Sequence, residues 1–182
     1  MEYRALPHGG EKISVIGLGS AELHNASEAE VERTIDEAVD AGVNHFDFIP
    51  SESGPLAAMG RALHRHRADV HVQVHIGALY GRGAYAWTTD AKPAIAEFEQ
   101  RLATIGTDYA DFGFIHCIDE ESDYAKARAA GTIDYILELK EDVDNVPLGD
   151  PNGGRGRDSV ECERQPHIVY KADTIEELCG FM

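Results

Sequence analysis

Three side chains that can move protons stand at the ends of apolar segments: Asp47 in HFDF, His75 in VHVQVHI and His116 in FGFIH. A carboxylate keeps a neighbouring imidazole protonated near neutral pH, and an imidazole gives or takes a proton there. If the three side chains meet, they offer general acid–base catalysis. Two alternatives stay open. The three are hydrogen-bonded structural residues without a catalytic role, or they form a zinc set, although no closely spaced pair anchors one.

The elements that must position these residues follow an alternating pattern. Up to about Glu141, short apolar segments alternate with stretches of helical period, which predicts an α/β fold with a parallel sheet. Strands are predicted at 16–20, 44–48, 70–78 and 110–116, and helices after Ser27, near Leu56, near Asp90 and after Gly131. A Gly-Gly turn in PHGGE predicts an N-terminal hairpin. Because such sheets carry their sites at the carboxyl edges of the strands, the three residues are expected at one rim.

The third predicted strand has apolar residues on one face and polar residues on the other. Val70, Val72, Val74 and Ile76 share one face, while His71, Gln73 and His75 share the other. This period of two predicts valines against the helices and a polar side facing a hollow.

Composition excludes several function classes. The chain has 182 residues, 16 Lys+Arg and 33 Asp+Glu, for a formal charge of -17. Such an acidic surface repels phosphate, so neither nucleic acid nor an anionic membrane is an expected partner. The basic stretch with Arg61, Arg65 and Arg67 is interpreted as the end of a helix, where cations favour the macrodipole. Three cysteines, no secretory signal and no apolar run near the roughly 20 residues of a membrane span predict a cytoplasmic protein.

The chain is predicted to divide at about residue 141. Residues 1–141 form the ordered body, 142–166 an irregular linker rich in Gly, Pro and Asp, and 167–182 a tail. In the tail, a short strand is predicted at 168–170 and a helix capped by Thr174 with Glu177. GLGSAE does not complete the dinucleotide fingerprint G-x-G-x-x-G, since Glu22 takes the place of the third glycine.

The body resembles the aldo-keto reductases, and more narrowly a bacterial branch with the motifs FDFIPSE and FGFIHCID. MEYRALPHGGEKISVIGLGS, AVDAGVNHFDF, VHVQVHIGALY, LATIGTDYADFGFIHCID and GTIDYILELKE follow in family order over about residues 1–141. The resemblance implies a (β/α)8 TIM-type barrel sealed at its base by the hairpin. It also implies NADPH as the cofactor and a small carbonyl compound as the substrate. Gly19 and Ser20 match the nicotinamide side of the cofactor site.

The catalytic residues of the family are Asp, Tyr, Lys and His, and this sequence matches two of them. Asp47 corresponds to the aspartate and His116 to the histidine, while His75 takes the place of the lysine. The place of the tyrosine falls within PSES, which contains no phenol. The hypothesis is that Asp47 keeps His75 protonated as a proton donor. Tyr80 and Tyr85, after the third strand, are candidate substitute phenols.

Length is the main departure, because a complete barrel takes about 250 residues. An incomplete barrel of about four parallel strands is therefore expected, with activity impaired by the missing half. Open sheet edges predict self-association. The alternative is a catalytically inactive remnant or interaction module. VYKADTIEEL faintly resembles a segment of fumarate reductase type flavoproteins, which adds flavin binding as a third hypothesis.

Overall fold

The structure, a computed structural model, describes residues 1–6, 11–49, 53–144 and 167–170, with residues 140–144 and 167–170 as backbone only. The strands are β1 (Tyr3–Ala5), β2 (Lys12–Ser14), β3 (Leu18–Gly19), β4 (His45–Phe48), β5 (His71–Ile76), β6 (Ala78–Gly81), β7 (Ala84–Trp87), β8 (Tyr109–Ile115) and β9 (His167–Tyr170). The helices are α1 (Glu28–Asp40), α2 (Ser53–His64), α3 (Ala91–Ile105), α4 (Glu121–Ala129) and α5 (Thr132–Asp144), with a 3-10 turn at Ala21–Leu23. Most of the predicted linker, the tail helix at Thr174 and most of PSES lie outside the described residues.

A parallel sheet forms the centre of the molecule, with strand order β3-β4-β5-β8-β9. Helices connect β3 to β4, β4 to β5 and β5 to β8. The predicted α/β fold with four parallel strands and covering helices is therefore confirmed. The strand predicted in the tail pairs with β8, Tyr109 opposite His167, so it extends the sheet to five strands.

Local sequence explains where the helices begin and end. At α1 the Ser27 side chain accepts a hydrogen bond from the backbone N–H of Glu30, and the Glu30 carboxylate accepts one from the Ser27 N–H in return. This capping box satisfies N–H groups that the helix itself leaves free. At α3 the Asp90 side chain accepts a hydrogen bond from the Lys92 N–H, and Gly106 ends the helix in the left-handed conformation with φ 72°. These boundaries carry the chain back to the next strand of the sheet.

The core lies between one face of the sheet and the helices. Val72, Val74 and Ile76 of β5 are at most 2% exposed, as the alternation predicts. Phe46 and Phe48 of β4 join them in the same apolar cluster. Burial of this face turns the opposite face of the sheet away from the helices. On that face β4 and β5 carry polar residues, and β8 carries Phe112 and Phe114 opposite Gln73 and His75, with His116 directly after it.

The N-terminal hairpin is attached at the base of the sheet. β1 and β2 pair antiparallel, with Tyr3 opposite Ser14. Asn44, at the start of β4, accepts a hydrogen bond from the Ser14 N–H at 2.7 Å and donates one to the Lys12 carbonyl at 2.9 Å. The hairpin thus lies at the end of the sheet opposite to the carboxyl ends of the strands.

Two elements depart from the sequence prediction. α4 and the hairpin β6–β7 were not predicted, and the hairpin takes the place of a plain loop after β5. Its two turn residues, Arg82 and Gly83, both have positive φ, 54° and 74°, as a two-residue hairpin turn of type I′ requires. The chain enters the hairpin through Gly77, whose φ of +96° is one that residues with a side chain rarely adopt.

Candidate active site

The three residues predicted from the strand ends meet at the carboxyl rim of the sheet. His75 Nε2 lies 2.9 Å from Asp47 Oδ1, and His75 Nδ1 lies 2.9 Å from His116 Nδ1. The His75 ring therefore bridges the carboxylate and the second imidazole through its two nitrogens. The side chains of His75 and Asp47 are 17% and 31% exposed, so the group is shielded but open to solvent. The three residues therefore converge, as their positions at the strand ends predict.

Two further polar residues extend this group toward the base of the sheet. Gln73 donates a hydrogen bond from Nε2 to Asp47 Oδ1 at 3.0 Å, and His45 lies with Nε2 3.1 Å from Gln73 Oε1. The amide therefore accepts from the His45 ring and donates to the carboxylate. The sequence analysis placed Gln73 on the polar face but did not select His45, although its position two residues before Asp47 puts both on one face of β4.

Tyr85, one of the two candidate phenols, is brought to the rim by the hairpin. Its hydroxyl contacts His116 Nε2, the ring nitrogen that does not face His75. The two ring centroids are 5.7 Å apart and the rings are nearly perpendicular. Tyr80, opposite Tyr85 in the hairpin, instead lines a cavity with Glu97 and Arg101 of α3. Only the hairpin geometry separates the two phenols, so the sequence could not choose between them.

Burial and neighbouring charges shift the pKa values of this group. Burial lowers the pKa of His116, and the charges of His75 and Arg101 lower it further, against the opposing effect of Asp47 and Asp119. The pKa of the Tyr85 phenol is raised, mainly by burial and then by the adjacent Cys117. Burial also lowers the pKa of His45. The neutral forms of His116, Tyr85 and His45 are therefore favoured relative to the same side chains in water.

Arg101 of α3 fixes the end of β5, where the site lies. It donates to the carbonyl of His75 at 2.6 Å and to the carbonyl of Ala78 at 3.0 Å, and it is only 2% exposed. Burial lowers its pKa to about 10, partly offset by Glu97. By holding the carbonyls on both sides of the Gly77 turn, it sets where the hairpin leaves the sheet. The amphipathic pattern of α3 gave no signal for this buried cation.

Gly19 and Ser20, the residues matched to the cofactor site, lie beside Asp47. Gly19 is opposite Asp47 in the register of β3 and β4, and no heavy atom lies within 4 Å of the place where a Cβ would stand. Ser20 is 2% exposed, and its hydroxyl accepts a hydrogen bond from the Ile49 N–H at 2.9 Å. Gly19 thus leaves room for a flat ring at the rim, while Ser20 fixes the neighbouring backbone.

Aromatic surface surrounds the group on its open side. Tyr85, Trp87 and Phe114 are 48%, 46% and 39% exposed, and the Phe114 ring lies 6.0 Å from that of His75. Such flat apolar surfaces suit the stacking of a ring or the packing of another chain segment. Within the described ranges, no group of three or more His, Cys, Asp or Glu side chains is arranged to hold a metal ion. In the same ranges, no helix has the length and apolar character to cross a bilayer.

A family model matches this chain over residues 15–147, a stretch that contains the sheet from β3 to β8, the rim residues and helices α1 to α5. The chain belongs to the aldo/keto reductase family. The L-galactose dehydrogenase of Arabidopsis thaliana is 28% identical over 151 residues, which are 78% of this chain and 46% of that protein.

Solved structures of aldo-keto reductases share the fold. One from Pseudomonas aeruginosa has a TM-score of 0.65 at 20% identity, over 77% of this chain and 55% of its own. The aldo-keto reductase AKR11C1 from Bacillus halodurans, in its holo form, has a TM-score of 0.63 at 23% identity, over 78% of this chain and 47% of its own. This chain spans about half the length of the relatives it matches. The fold is therefore that of part of a (β/α)8 barrel.

Proposed function

We propose that this aldo/keto reductase chain reduces the carbonyl group of a small substrate with NADPH. Asp47, His75 and His116 form the acid–base group that supplies the proton. The observation that carries the proposal is the continuous contact of the three side chains, 2.9 Å at each link, at the open rim of the sheet. Residues that only make structural hydrogen bonds need no access to solvent. A residue that donates a proton to a bound substrate must be accessible.

Both ring nitrogens of His75 have a partner suited to this role. Its Nε2–H donates to the Asp47 carboxylate at 2.9 Å. Its Nδ1 faces His116 Nδ1 at 2.9 Å, and a hydrogen on His75 Nδ1 would donate to the second imidazole. Gln73 holds Asp47 from the other side at 3.0 Å, which fixes the carboxylate oxygen that His75 uses. The proton is thus held on the side of the rim that faces solvent.

The residues present fit the nicotinamide end of the cofactor. When bound, a reduced nicotinamide supplies the hydride for carbonyl reduction. The open space at Gly19 lies beside Asp47, two strands from His75, and the exposed Phe114 offers flat surface on the far side of His75. Ser20, tied to Ile49, would hold the backbone at Gly19 in place.

Titration of the full chain with NADPH tests the proposal. Binding is expected to raise the free energy of unfolding by about 2.7 kcal/mol at a hundredfold excess over the dissociation constant, seen as a higher melting temperature. With glyceraldehyde as substrate, Asp47→Asn is expected to lower kcat by about a hundredfold or more, because a neutral amide replaces the charged acceptor of the His75 hydrogen bond. Asp40→Asn, at an exposed position at the end of α1, is the matched control. An unchanged kcat in Asp47→Asn removes the carboxylate from the mechanism.

A second candidate function is an interaction module without activity. Two observations favour it. This chain spans 46% of the length of the L-galactose dehydrogenase, and aromatic side chains are exposed at the rim. In that role NADPH leaves the melting temperature unchanged while the chain still unfolds cooperatively. The flavin hypothesis for the tail concerns residues outside the described ranges, and a colourless purified protein would count against it.

A further inference from the structure

We propose that Tyr85 is the group that gives the proton to the carbonyl oxygen, at the outer end of a four-residue chain Asp47–His75–His116–Tyr85. This inference rests on the proposed reductase function and adds the residue that contacts the substrate. The family position of the tyrosine falls in PSES, which has no phenol. The hairpin β6–β7 delivers a phenol to the same rim from a different part of the chain.

The contacts form a continuous path from the shielded carboxylate to the open side. Asp47 Oδ1 and His75 Nε2 are 2.9 Å apart, His75 Nδ1 and His116 Nδ1 are 2.9 Å apart, and His116 Nε2 contacts the Tyr85 hydroxyl. Each imidazole thus uses one nitrogen toward the carboxylate and the other toward the phenol. Tyr85 is 48% exposed, against 17% for the side chain of His75, so the phenol is the most accessible member.

The nitrogens and oxygens of this path can all be satisfied at the same time. With His75 charged, its Nε2–H donates to Asp47 and its Nδ1–H donates to His116 Nδ1. His116, neutral, then carries its own hydrogen on Nε2 and donates it to the Tyr85 oxygen. The O–H of Tyr85 is left free to donate to a substrate carbonyl in front of the rim. From His75 Nδ1 onward each donor points toward the substrate, while the Nε2–H of His75 donates back to the carboxylate.

The proposed step conserves atoms and electrons. The carbonyl carbon accepts a hydride, with its electron pair, from the reduced nicotinamide, and the π pair of the C=O bond moves to oxygen. That oxygen takes the phenolic proton, while Tyr85 receives the Nε2 proton of His116 and His116 receives the Nδ1 proton of His75. The products are an alcohol, the oxidised nicotinamide and neutral His75. After the alcohol leaves, a proton from solvent returns along the same path.

The framework holds Tyr85 in place for this role. The hairpin begins at Gly77, where the Thr88 N–H donates to the Gly77 carbonyl at 2.8 Å. Arg101 binds the carbonyls of His75 and Ala78 on either side of that turn. Cys117, the next residue after His116, also contacts the phenol and has a positive φ of 53°. The raised pKa of Tyr85 keeps the phenol in its proton-bearing form at neutral pH.

The first test compares two variants that differ only in which hairpin phenol is lost. Tyr85→Phe is expected to lower kcat for the NADPH-dependent reduction of glyceraldehyde by about a hundredfold or more, with the NADPH-induced rise in melting temperature unchanged. Tyr80→Phe, opposite it in the hairpin, is expected to keep kcat. If Tyr85→Phe keeps the kcat of the unchanged chain, Tyr85 is not the donor.

The second test needs neither cofactor nor substrate. Proton–nitrogen NMR spectra of the histidine rings report which nitrogen carries hydrogen, and the His116 signals are assigned by their loss in His116→Gln. Tyr85→Phe is expected to move the Nε2 resonance of His116 and to leave that of the exposed His64 in place. An unmoved His116 resonance would overturn the link between the imidazole and the phenol, whatever the activity.

The outcomes separate the two proposals. If the unchanged chain shows neither NADPH binding nor reduction, the reductase function is wrong, and the donor role of Tyr85 with it. If the chain is active and Tyr85→Phe is equally active, only the donor role is wrong. Loss of kcat in Tyr85→Phe together with a moved His116 resonance supports both.

Discussion

The histidines of the polar face differ in what surrounds them, and this difference sets their response to pH. His45 is the member farthest from the rim. It packs edge-on against Phe112 at 5.7 Å between ring centroids, and its Nε2–H donates to Gln73. Burial lowers its pKa, although Gln73 and Asp47 oppose the shift. Protonation of His45 therefore costs more in the folded chain than in the unfolded one.

This shift predicts a loss of stability at mildly acidic pH. The unfolded pKa is near 6.5 and the folded pKa is lower, so between the two values the unfolded chain binds more protons. The contribution of His45 to the free energy of unfolding is fully present above pH 6.5 and is lost as the pH falls toward the folded pKa. His45→Gln keeps a donor for Gln73, and the melting temperature is expected to depend less steeply on pH below about 6.5.

The control for that measurement is His64→Gln, at an exposed position at the end of α2. Its melting temperature should follow the pH dependence of the unchanged chain. An identical slope in His45→Gln would show that His45 does not contribute to the acid lability.

The sequence predicted the positions of the site residues that lie at the ends of the strands. Asp47, His75 and His116 each stand at the end of an apolar strand, and parallel pairing brings such ends together. The link to Tyr85 was beyond sequence reasoning, because it depends on the φ angles of Gly77, Arg82 and Gly83. The signal was present in YGRGAY, where the pair Arg82-Gly83 lies between two segments that carry tyrosine.

At the scale of elements, α2 and the end of α3 approach each other closely. A Cβ on Gly60 would stand 2.1 Å from the backbone oxygen of Ile105, whereas one on Gly54 of the same helix would meet only the Glu28 side chain at 3.5 Å. Gly60 therefore sets the distance between α2 and α3. Both helices cover β5, so this distance also affects how the strand is held.

Substitution at these two glycines is expected to have opposite effects. Gly60→Ala forces a backbone contact that cannot relax locally and should lower the free energy of unfolding by about 1–3 kcal/mol. Gly54→Ala removes backbone freedom from the unfolded chain and should raise it by up to about 1 kcal/mol. Urea unfolding measures both. Equal stability of the two variants would contradict the tight helix contact.

The arginines at the end of α2 form ion pairs with other elements. This basic stretch was interpreted as cations at a helix end, and α2 does end there, at His64. The arginines also have specific partners. Arg61 pairs with Glu28 and Glu32 of α1, at 2.7 and 2.8 Å. Arg67 is buried against Asp111 of β8 at 2.7 Å. The partners lie far away in sequence, so the pattern of α2 alone could not name them.

At the scale of the whole molecule, the edge strands of the sheet are the places where another chain can pair. β9 covers the edge that β8 would otherwise present, with Phe112 opposite Tyr170. The edges of the described sheet are then β3 and β9. Val15 and Ile16, next to β3, are 45% and 60% exposed. An edge strand with exposed apolar neighbours favours pairing with another chain, so self-association remains a prediction.

Light scattering tests this prediction. The full chain is expected at a multiple of 19.9 kDa. Ile16→Lys, which places a charge beside β3, should shift it toward the single-chain mass. Leu137→Lys, at an exposed position on α5, is the control and should leave the mass unchanged. A single-chain mass with a cooperative melt for the unchanged protein would contradict self-association.

By itself, the sequence determined the alternation of strands and helices, the face that β5 buries and the three proton-carrying residues at the strand ends. These follow from local rules, because hydrophobic period, capping residues and strand parity act between residues close in sequence. Only the tertiary structure decided the contacts of His75 with Asp47 and His116, the approach of Tyr85 to His116 and the pairing of β9 with β8. Each joins residues far apart in the chain, and packing of the whole core, not local pattern, fixes their distances.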